Sequence, residues 1–406
     1  MGTCLACRSD VIPFVSFGMM PIANAFLDAA DFEREPFFDL EVGLCNGCSL
    51  VQLTRVIEPD KLYHENYAYF SSISARMAEH FRDFAQQASR RLANVGDPFV
   101  LEIGSNDGIM LRHFAGNRVR HLGVEPSRNV AQAAIERGVN TMCGFFDERS
   151  AAEIRQQHGP ANIVLGANVI SHIVDFDSVI SGVDLLLEDD GVFIFEEPYL
   201  GDIVKKTSYD QFYDEHVYYF CISSLNNLLD RHGMLVVDAE PQNVHGGSMR
   251  YTVARQTTKQ MAPRLAGLKT GELALGLGQM STFQGLKGRI DQSRDQLKSL
   301  LGDLRREGKR VVGYGATSKS TTVTNYGGIG PDLIEFISDT TPTKQGKFSP
   351  GTHIPIKPYE EFAANYPDYA VLFAWNHGEE IIANEQGFLN AGGRFIAFVP
   401  EVGIVD

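Results

Sequence analysis

The stretch Asp210 to Phe220, DQFYDEHVYYF, places a histidine beside a tyrosine and two carboxylates. Histidine is suited to removing a proton near neutral pH, because its unperturbed pKa is about 6.5. In a regular β-strand Tyr213 and Glu215 would lie on one face and His216 on the other, since side chains alternate along a strand. The three side chains therefore converge only if the segment is a turn or the start of a helix. A core histidine and surface carboxylates on an aromatic strand are the alternative interpretation.

Four of the six cysteines occur as two CxxC pairs, CLAC and CNGC. Two such pairs brought together supply the four thiolates that structural zinc prefers, and they leave no open coordination position for catalysis. The interval between the pairs is long, so a small insertion must separate them. A redox role is the alternative, but it needs only one motif. The sequence predicts a zinc site formed by Cys4, Cys7, Cys45 and Cys48, with Cys143 and Cys221 as packing residues.

The length and charge of the chain limit its organisation and its partners. It has 406 residues and a formal net charge of −15, from 36 basic and 51 acidic side chains. This length predicts two or three domains. The negative charge disfavours nucleic acid and anionic membranes as partners, so an anionic ligand must be bound by local donors. The sequence shows neither a run of 18 apolar residues nor a secretory signal, which predicts a cytoplasmic protein without a membrane span.

The elements that must position these groups fall into four segments. Residues 1–70 contain short apolar pieces with Gly and Pro, and a metal would compensate for their small core. In residues 71–279 strand and helix signals alternate, which predicts a doubly wound parallel sheet; LVVDAEPQ and MRYTVARQ are expected to add an antiparallel pair. Residues 280–309 have the pattern of a charged linking helix. Residues 310–406 predict a second, smaller α/β domain.

A glycine motif in the second segment is a candidate ligand site. EIGSNDG, residues 102–108, follows a predicted strand and precedes a helical segment. Glycine allows a ligand to approach the backbone closely, while the absence of GxGxxG weakens a dinucleotide interpretation. Glu125 ends the next strand, where a carboxylate can accept both hydroxyls of a ribose. Asn168 lies at the end of a later strand.

This order of strand, glycine motif, strand with Glu, and strand with Asn resembles the S-adenosylmethionine site of the class I methyltransferases. The resemblance implies that Gly104 makes room for the methionine part of the cofactor and that Glu125 binds its ribose. It also implies that Asp107 and its neighbour Asn106 hold the amino group, with Asn168 in the same site.

Together with the cysteine pairs, the YDEH run and the C-terminal segment that begins GYGATSK, the chain resembles the sugar C-methyltransferases. These enzymes act on nucleotide-linked 4-keto-6-deoxyhexoses in the biosynthesis of branched deoxysugars. The resemblance covers nearly the whole chain and implies a zinc module, a class I methyltransferase domain and a C-terminal Rossmann-like domain. The catalytic residues that it implies are His216 as base, Glu215, Tyr213, His172 in NVISHIVDF, and either Tyr67 or Tyr69 in ENYAYFSS, with spacing favouring Tyr67.

Carbon methylation needs a base, because the carbon nucleophile has no lone pair until a C–H proton leaves. A ketone at C4 makes the C3 hydrogen acidic enough for a positioned histidine such as His216. Donors to the C4 oxygen would stabilise the enolate, by roughly 3–4 kcal/mol for one good donor. His172, Tyr67 and Tyr213 are the candidate donors. Glu215 is expected to fix a histidine tautomer or to accept a hydrogen bond from a sugar hydroxyl.

The C-terminal segment supplies the candidate contacts to the nucleotide-linked sugar. Lys319 follows the glycine turn GYGATSK and is suited to a diphosphate. Asp339 ends the next predicted strand, and Lys347 lies in the loop KQGKFSPG. Alternatively, the glycines only close a tight turn in a structural domain.

Three other functions are compatible with these residues. A sugar O-methyltransferase would use the same base on a hydroxyl group. An NAD-dependent sugar dehydrogenase would bind its cofactor in the C-terminal domain. A zinc-containing binding protein without catalytic activity would leave the combination of EIGSNDG, Glu125 and His216 without a role.

Overall fold

Three β-sheets with their helices make up the structure. The computed structural model describes residues 2–58, 62, 71, 75–257 and 261–405. The sheets have five, seven and six strands, and we call them the N-terminal, central and C-terminal sheets. Within this part of the chain, no helix has both the length and the apolar character needed to cross a membrane.

The N-terminal sheet is antiparallel and takes its last strand from the middle of the chain. Numbered in chain order, its strands are β1 (Gly2–Thr3), β2 (Asp10–Pro21), β3 (Phe37–Cys45), β4 (Val51–Leu53) and β10 (Tyr218–Tyr219). They lie in the order β1-β2-β3-β4-β10. Tyr218 pairs with Gln52, and Tyr219 pairs with Val51. The first segment and the stretch after the YDEH run therefore belong to one sheet.

The central sheet is parallel apart from one strand. Its strands are β5 (Phe99–Ile103), β6 (Arg120–Glu125), β7 (Thr141–Cys143), β8 (Ala161–Ala167), β9 (Leu187–Pro198), β11 (Met234–Gln242) and β12 (Ser248–Arg255). They lie in the order β7-β6-β5-β8-β9-β12-β11, and β12 is antiparallel to both of its neighbours. All five residues of β5 are buried, as expected of a parallel strand covered on both faces. The predicted sheet and its antiparallel pair are confirmed; β7 was not predicted.

Eight α-helices accompany the central sheet in the described residues. They are α1 (Ala75–Ser89), α2 (Arg112–Gly116), α3 (Arg128–Glu136), α4 (Glu148–His158), α5 (Phe176–Leu186), α6 (Leu200–Lys206), α7 (Ile222–Leu229) and α8 (Arg264–Leu275). The start of α4 shows how the local sequence sets a boundary. Asp147 accepts a hydrogen bond from the Ser150 backbone N–H at 2.7 Å, and Ser150 Oγ accepts one from the Asp147 N–H. This reciprocal cap satisfies two donors that the first turn leaves without helical partners.

The helix α9 (Met280–Arg306) packs between the N-terminal and C-terminal sheets. Its buried residues recur at intervals of three or four, from Phe283 to Leu304, which is the apolar stripe of an amphipathic helix. The Phe283 ring stacks on Phe14 of β2 with centroids 4.9 Å apart. Ser293 Oγ donates to the Phe398 carbonyl at 3.5 Å. The helix therefore holds both sheets through its apolar face.

The C-terminal sheet is parallel apart from its final strand. Its strands are β13 (Val311–Tyr314), β14 (Ile337–Ser338), β15 (Ile356–Lys357), β16 (Tyr369–Leu372), β17 (Arg394–Ala397) and β18 (Gly403–Val405). The order β15-β14-β13-β16-β17-β18 is that of a Rossmann fold. Its helices are α10 (Ser318–Gly327), α11 (Tyr359–Ala364), α12 (Gly378–Asn384) and α13 (Gln386–Asn390). The expected α/β arrangement of this segment is confirmed.

Candidate active site

The segment that contains His216 is a turn and not a strand. The His216 backbone N–H donates to the Tyr213 carbonyl at 3.1 Å, and β10 begins only at Tyr218. Because it contains the predicted base, we call residues 212–216 the catalytic turn. Tyr213, Glu215 and His216 all line the same cavity, so the geometric condition for their convergence is met.

This cavity lies where elements of all three sheets meet. Its volume is about 560 Å³, which is large enough for a small-molecule ligand. Its lining includes the carboxyl ends of β5, β6 and β8, the catalytic turn, and the loop before α10. Ligands of doubly wound sheets bind at this end of the strands. The predicted cofactor and catalytic regions therefore open into one space.

Two hydrogen bonds determine the tautomer of His216. Ring Nδ1 lies 3.1 Å from the Gln211 carbonyl, and Nε2 lies 2.8 Å from the Tyr213 hydroxyl. Because a carbonyl only accepts hydrogen bonds, Nδ1 donates and the neutral ring accepts at Nε2 from Tyr213. Burial, and then the nearby His172 and Lys319, lower the pKa of His216 well below its usual value. The ring is thus neutral at neutral pH, and Nε2 has the lone pair that a base needs.

His172 lies beside His216 and is positioned by a buried carboxylate. Their rings stack with centroids 5.2 Å apart. His172 ends a short 3-10 helix whose backbone N–H groups at Val169, Ile170 and Ser171 all donate to Glu197 Oε1. Burial lowers the pKa of His172 to about 4. It therefore enters the cavity as a neutral imidazole and not as a cation.

The backbone at Gly104 has a conformation and a close neighbour that both favour glycine. Gly104 has a φ of +63°, and a Cβ there would lie 2.4 Å from Val169 Cγ2. Glu125 is fixed by two backbone donors, since Oε2 accepts from Asn106 at 3.0 Å and Oε1 from Ser127 at 2.8 Å. A carboxylate retains further acceptor positions beyond these two bonds. Gly104, Asn106, Glu125 and Asn168 all line the cavity.

Asp107 lies elsewhere than predicted, and Glu102 occupies the cavity in its place. The carboxylate of Asp107 accepts a hydrogen bond from the Arg137 guanidinium at 2.5 Å, and the residue is outside the cavity lining. Glu102 is buried and lines the cavity; Oε2 has no hydrogen-bond partner among the described residues. Burial, and then Glu125 and Asp107, raise the pKa of Glu102 well above its usual value. An acid inside the apolar strand FVLEI was the sequence signal for this residue.

The C-terminal sheet contributes Lys319 at the start of α10. The residue is buried and lines the cavity, and its Nζ donates to the His245 carbonyl at 3.4 Å. It also lies 5.5 Å from the centre of the Trp375 ring. Among the described residues, no carboxylate oxygen lies within ion-pair distance of it, but the buried Asp210 is near enough to favour its charged form. Burial lowers the pKa of Lys319, so a bound anion would favour its charged form.

Two other residues predicted to bind the substrate lie outside the cavity lining. Asp339 holds its own loop, because its carboxylate accepts from the backbone N–H groups of Ala316 at 2.7 Å and Thr341 at 2.8 Å. Lys347 is also outside the lining, whereas Lys344, three residues earlier in the same loop, is part of it. The basic character of the loop was readable from the sequence, but which lysine faces the cavity depends on the path of the loop. Tyr67 and Tyr69 lie outside the described residues.

The four cysteines of the CxxC pairs form a compact cluster. Their Sγ atoms all lie within 4.8 Å of one another, with 3.8 Å between Cys4 and Cys48 and 3.4 Å between Cys7 and Cys45. A tetrahedral zinc ion with Zn–S distances of about 2.3 Å requires separations of about 3.8 Å. The backbone N–H of Cys7 points at Cys4 Sγ at 3.4 Å, and that of Cys48 at Cys45 Sγ at 3.5 Å. The cluster fits structural zinc.

Comparison with known proteins agrees with this architecture over the whole chain. Family models described as zinc binding domain, methyltransferase domain and C-methyltransferase C-terminal domain match residues 4–63, 74–239 and 243–400. The protein is therefore an S-adenosylmethionine-dependent methyltransferase of the class I fold, with a zinc-binding N-terminal domain and a C-terminal α/β domain. C-methyltransferase NovU of Streptomyces niveus is 37% identical over 406 residues, which is 99% of this chain and 96% of that protein. The chain belongs to the C-methyltransferase family.

Solved structures of other methyltransferases are similar over part of the chain. An S-adenosylmethionine-dependent methyltransferase from Clostridium acetobutylicum is 12% identical, with a TM-score of 0.36; the match covers 44% of this chain and 92% of that one. Magnesium protoporphyrin IX methyltransferase from Synechocystis, with bound S-adenosylmethionine, is 13% identical, with a TM-score of 0.34; the match covers 48% and 89%.

Proposed function

We propose that the protein methylates C3 of a nucleotide-linked 4-keto-6-deoxyhexose in the biosynthesis of a branched deoxysugar, with His216 as the base. The main observation behind this proposal is that His216 and the cofactor residues Gly104 and Glu125 line one cavity. When bound there, S-adenosylmethionine supplies an electrophilic methyl group. A carbon nucleophile requires a base in the same cavity as the methyl donor, because its C–H proton must be removed.

His216 Nε2 is the atom that takes the C3 proton. As the C–H bond breaks, its electron pair forms the enolate, and negative charge develops on the C4 oxygen. In the structure the Tyr213 hydroxyl donates to Nε2, so this hydroxyl must turn away before the proton moves. If it turns to the C4 oxygen, one movement frees the base and adds a donor to the enolate. Tyr67 is proposed as a further donor.

His172 is suited to the same oxygen as a neutral donor. A neutral imidazole can donate from one ring nitrogen, and it does so without introducing a charge beside His216. Burial holds the pKa of His172 near 4, which keeps the ring neutral over the working range of the base. Tyr213 likewise stays protonated, because burial raises its pKa well above the usual value.

The lysines of the cavity support an anionic substituent on the sugar, such as a nucleoside diphosphate. Lys319 and Lys344 both line the cavity of a protein whose net charge is −15. Burying a cation is costly unless an anion accompanies it. We therefore propose Lys319 and Lys344 as the diphosphate contacts, and Lys344 replaces Lys347 in this role. Asp339 acts only through the loop that it holds.

Exchange of the C3 hydrogen with solvent deuterium tests the base. The substrate is incubated in D₂O with the enzyme and S-adenosylhomocysteine, and the sugar is examined by NMR. We expect the wild-type protein to introduce deuterium at C3 and His216→Asn to abolish this exchange, while the affinity for S-adenosylhomocysteine changes little. His121, which lies outside the cavity lining, provides the matched control His121→Asn. Full exchange in His216→Asn would show that another group is the base.

Carbon NMR of the methylated product tests the site of transfer. A new carbon-bound methyl group at C3 is expected, and C3 becomes a fully substituted carbon. A methyl group on oxygen would contradict the proposal.

A further inference from the structure

The catalytic turn is in contact with a segment of the N-terminal sheet that follows β2. We infer that Asn24, in this segment, positions the carboxylate of Glu215 and so makes the N-terminal domain part of the active site. The inference deepens the proposed function and depends on it. Asn24 Nδ2 donates to Glu215 Oε1 at 2.7 Å, and both residues line the cavity.

A second hydrogen bond fixes the same segment against the turn. The backbone N–H of Ala23 donates to Asp214 Oδ1 at 3.0 Å. Ala23 and Asp214 are both buried, so this bond is protected from water. Ala23 and Asn24 of the N-terminal segment therefore bind the neighbouring residues Asp214 and Glu215 of the turn. The two hydrogen bonds define the position of the Asn24 amide relative to Glu215.

Helix α10 of the C-terminal domain forms hydrogen bonds to both the N-terminal segment and the catalytic turn. Thr321 Oγ1 donates to the Ala23 carbonyl at 3.0 Å, and Thr322 Oγ1 donates to the Phe212 carbonyl at 2.9 Å. Both threonines are buried and lie outside the cavity lining. The catalytic turn thus contacts both the N-terminal segment and α10, and Asn24 is the residue of the N-terminal segment that lines the cavity.

The chemistry of an amide explains why asparagine suits this position. The terminal torsion of a glutamate is broad, so a carboxylate without a fixed partner samples many orientations. An amide N–H donor fixes one oxygen without the positive charge that lysine or arginine would bring beside His216. The carboxylate retains acceptor positions for a hydroxyl group of the sugar. Asn24 is therefore a positioning residue, and its effect on the reaction passes through Glu215.

The variants Asn24→Ala and Thr321→Val distinguish this role from simple packing. Each removes one hydrogen bond of the same contact, but only Asn24→Ala removes the donor to Glu215. We expect Asn24→Ala to lower kcat/KM for the keto-sugar by about 10- to 100-fold, by analogy with the cost of losing a group that orients a metal ligand. We expect Thr321→Val to retain kcat/KM within about threefold of wild type. S-adenosylhomocysteine affinity and zinc content should stay unchanged in both.

The variant Asn24→Asp adds a readout that a packing role would not change. A second carboxylate beside Glu215 disfavours ionisation of the pair and favours the protonated form of the neighbouring His216, so the acid limb of the kcat/KM profile should move to higher pH. Wild-type kcat/KM in Asn24→Ala, an equal loss in Thr321→Val, or an unmoved acid limb in Asn24→Asp would each overturn the inference. Failure of the wild-type protein to exchange C3 deuterium would instead overturn the proposed function, so the two failures are distinguishable.

Discussion

At His216, the bond from ring Nδ1 to the Gln211 carbonyl decides which nitrogen can accept a proton. The sequence placed Tyr213, Glu215 and His216 together but did not show the turn that makes them converge. It also misplaced Asp107, because a long-range partner decides where this carboxylate points. The carboxylate of Asp107 turns to Arg137, thirty residues further along the chain, and no local pattern reveals that pairing. The acid that faces the cavity is instead Glu102.

The pH dependence of the reaction follows from the burial of His216. Burial lowers its pKa, so the ring takes up a proton only at pH values below the usual value of about 6.5. Above that range it is neutral and able to act as a base. We expect the acid limb of kcat/KM to lie below about pH 6.5. Measurement of kcat/KM between about pH 5 and pH 8 checks this, and a limb above 6.5 assigned to His216 would contradict it.

Strands with continuous apolar runs were predictable, whereas the N-terminal sheet was not. β5 and β8 are buried over nearly their whole length, and such runs indicate parallel strands directly. β2 pairs with β3 through two register shifts, between Pro13 and Val15 and between Ser16 and Gly18. Each shift breaks the alternation of buried and exposed residues that would reveal a strand. The domain boundaries at residues 70, 279 and 309 stay a prediction.

The turn after β5 tolerates only glycine at position 104. In Gly104→Ala the new Cβ would meet Val169, and the positive φ is unfavourable for alanine. We expect a loss of roughly 1–3 kcal/mol in unfolding free energy and weaker binding of S-adenosylhomocysteine. Calorimetry and thermal unfolding measure the two effects. Gly116→Ala is the matched control, since a Cβ there meets nothing within 4 Å; equal effects in both variants would contradict the steric argument.

At the scale of the whole molecule, the zinc cluster stabilises a sheet that continues into the central domain. β10 directly follows the catalytic turn and pairs with β4. Loss of zinc should therefore disturb His216 as well as the N-terminal fold. The cluster was predictable because two CxxC pairs are a local sequence signal. No local sequence signal indicates that a strand is shared between domains.

The paired substitution Cys45→Ser and Cys48→Ser tests this coupling. We expect the protein to lose zinc, to melt at a lower temperature by about 2–4 °C for each kcal/mol lost, and to exchange C3 deuterium more slowly. Metal analysis, thermal unfolding and the exchange assay give the three readouts. Cys143→Ser is the control, because Cys143 is exposed. The prediction that Cys143 is a packing residue is therefore wrong. Unchanged zinc content in the double variant would count against the cluster.

The pairing of β4 with β10 also affects how the chain folds during its synthesis. Val51 can pair with Tyr219 only after Tyr219 has been synthesised. At about 5–20 residues per second a ribosome adds Tyr219 roughly 10–30 s after Val51. Until then β4 has an unpaired edge, and such edges promote pairing with the wrong chain. In a shortened chain that begins after β4, β10 would likewise have no partner strand. The first strands to be made thus belong to a sheet that is completed only when more than half of the protein has been translated.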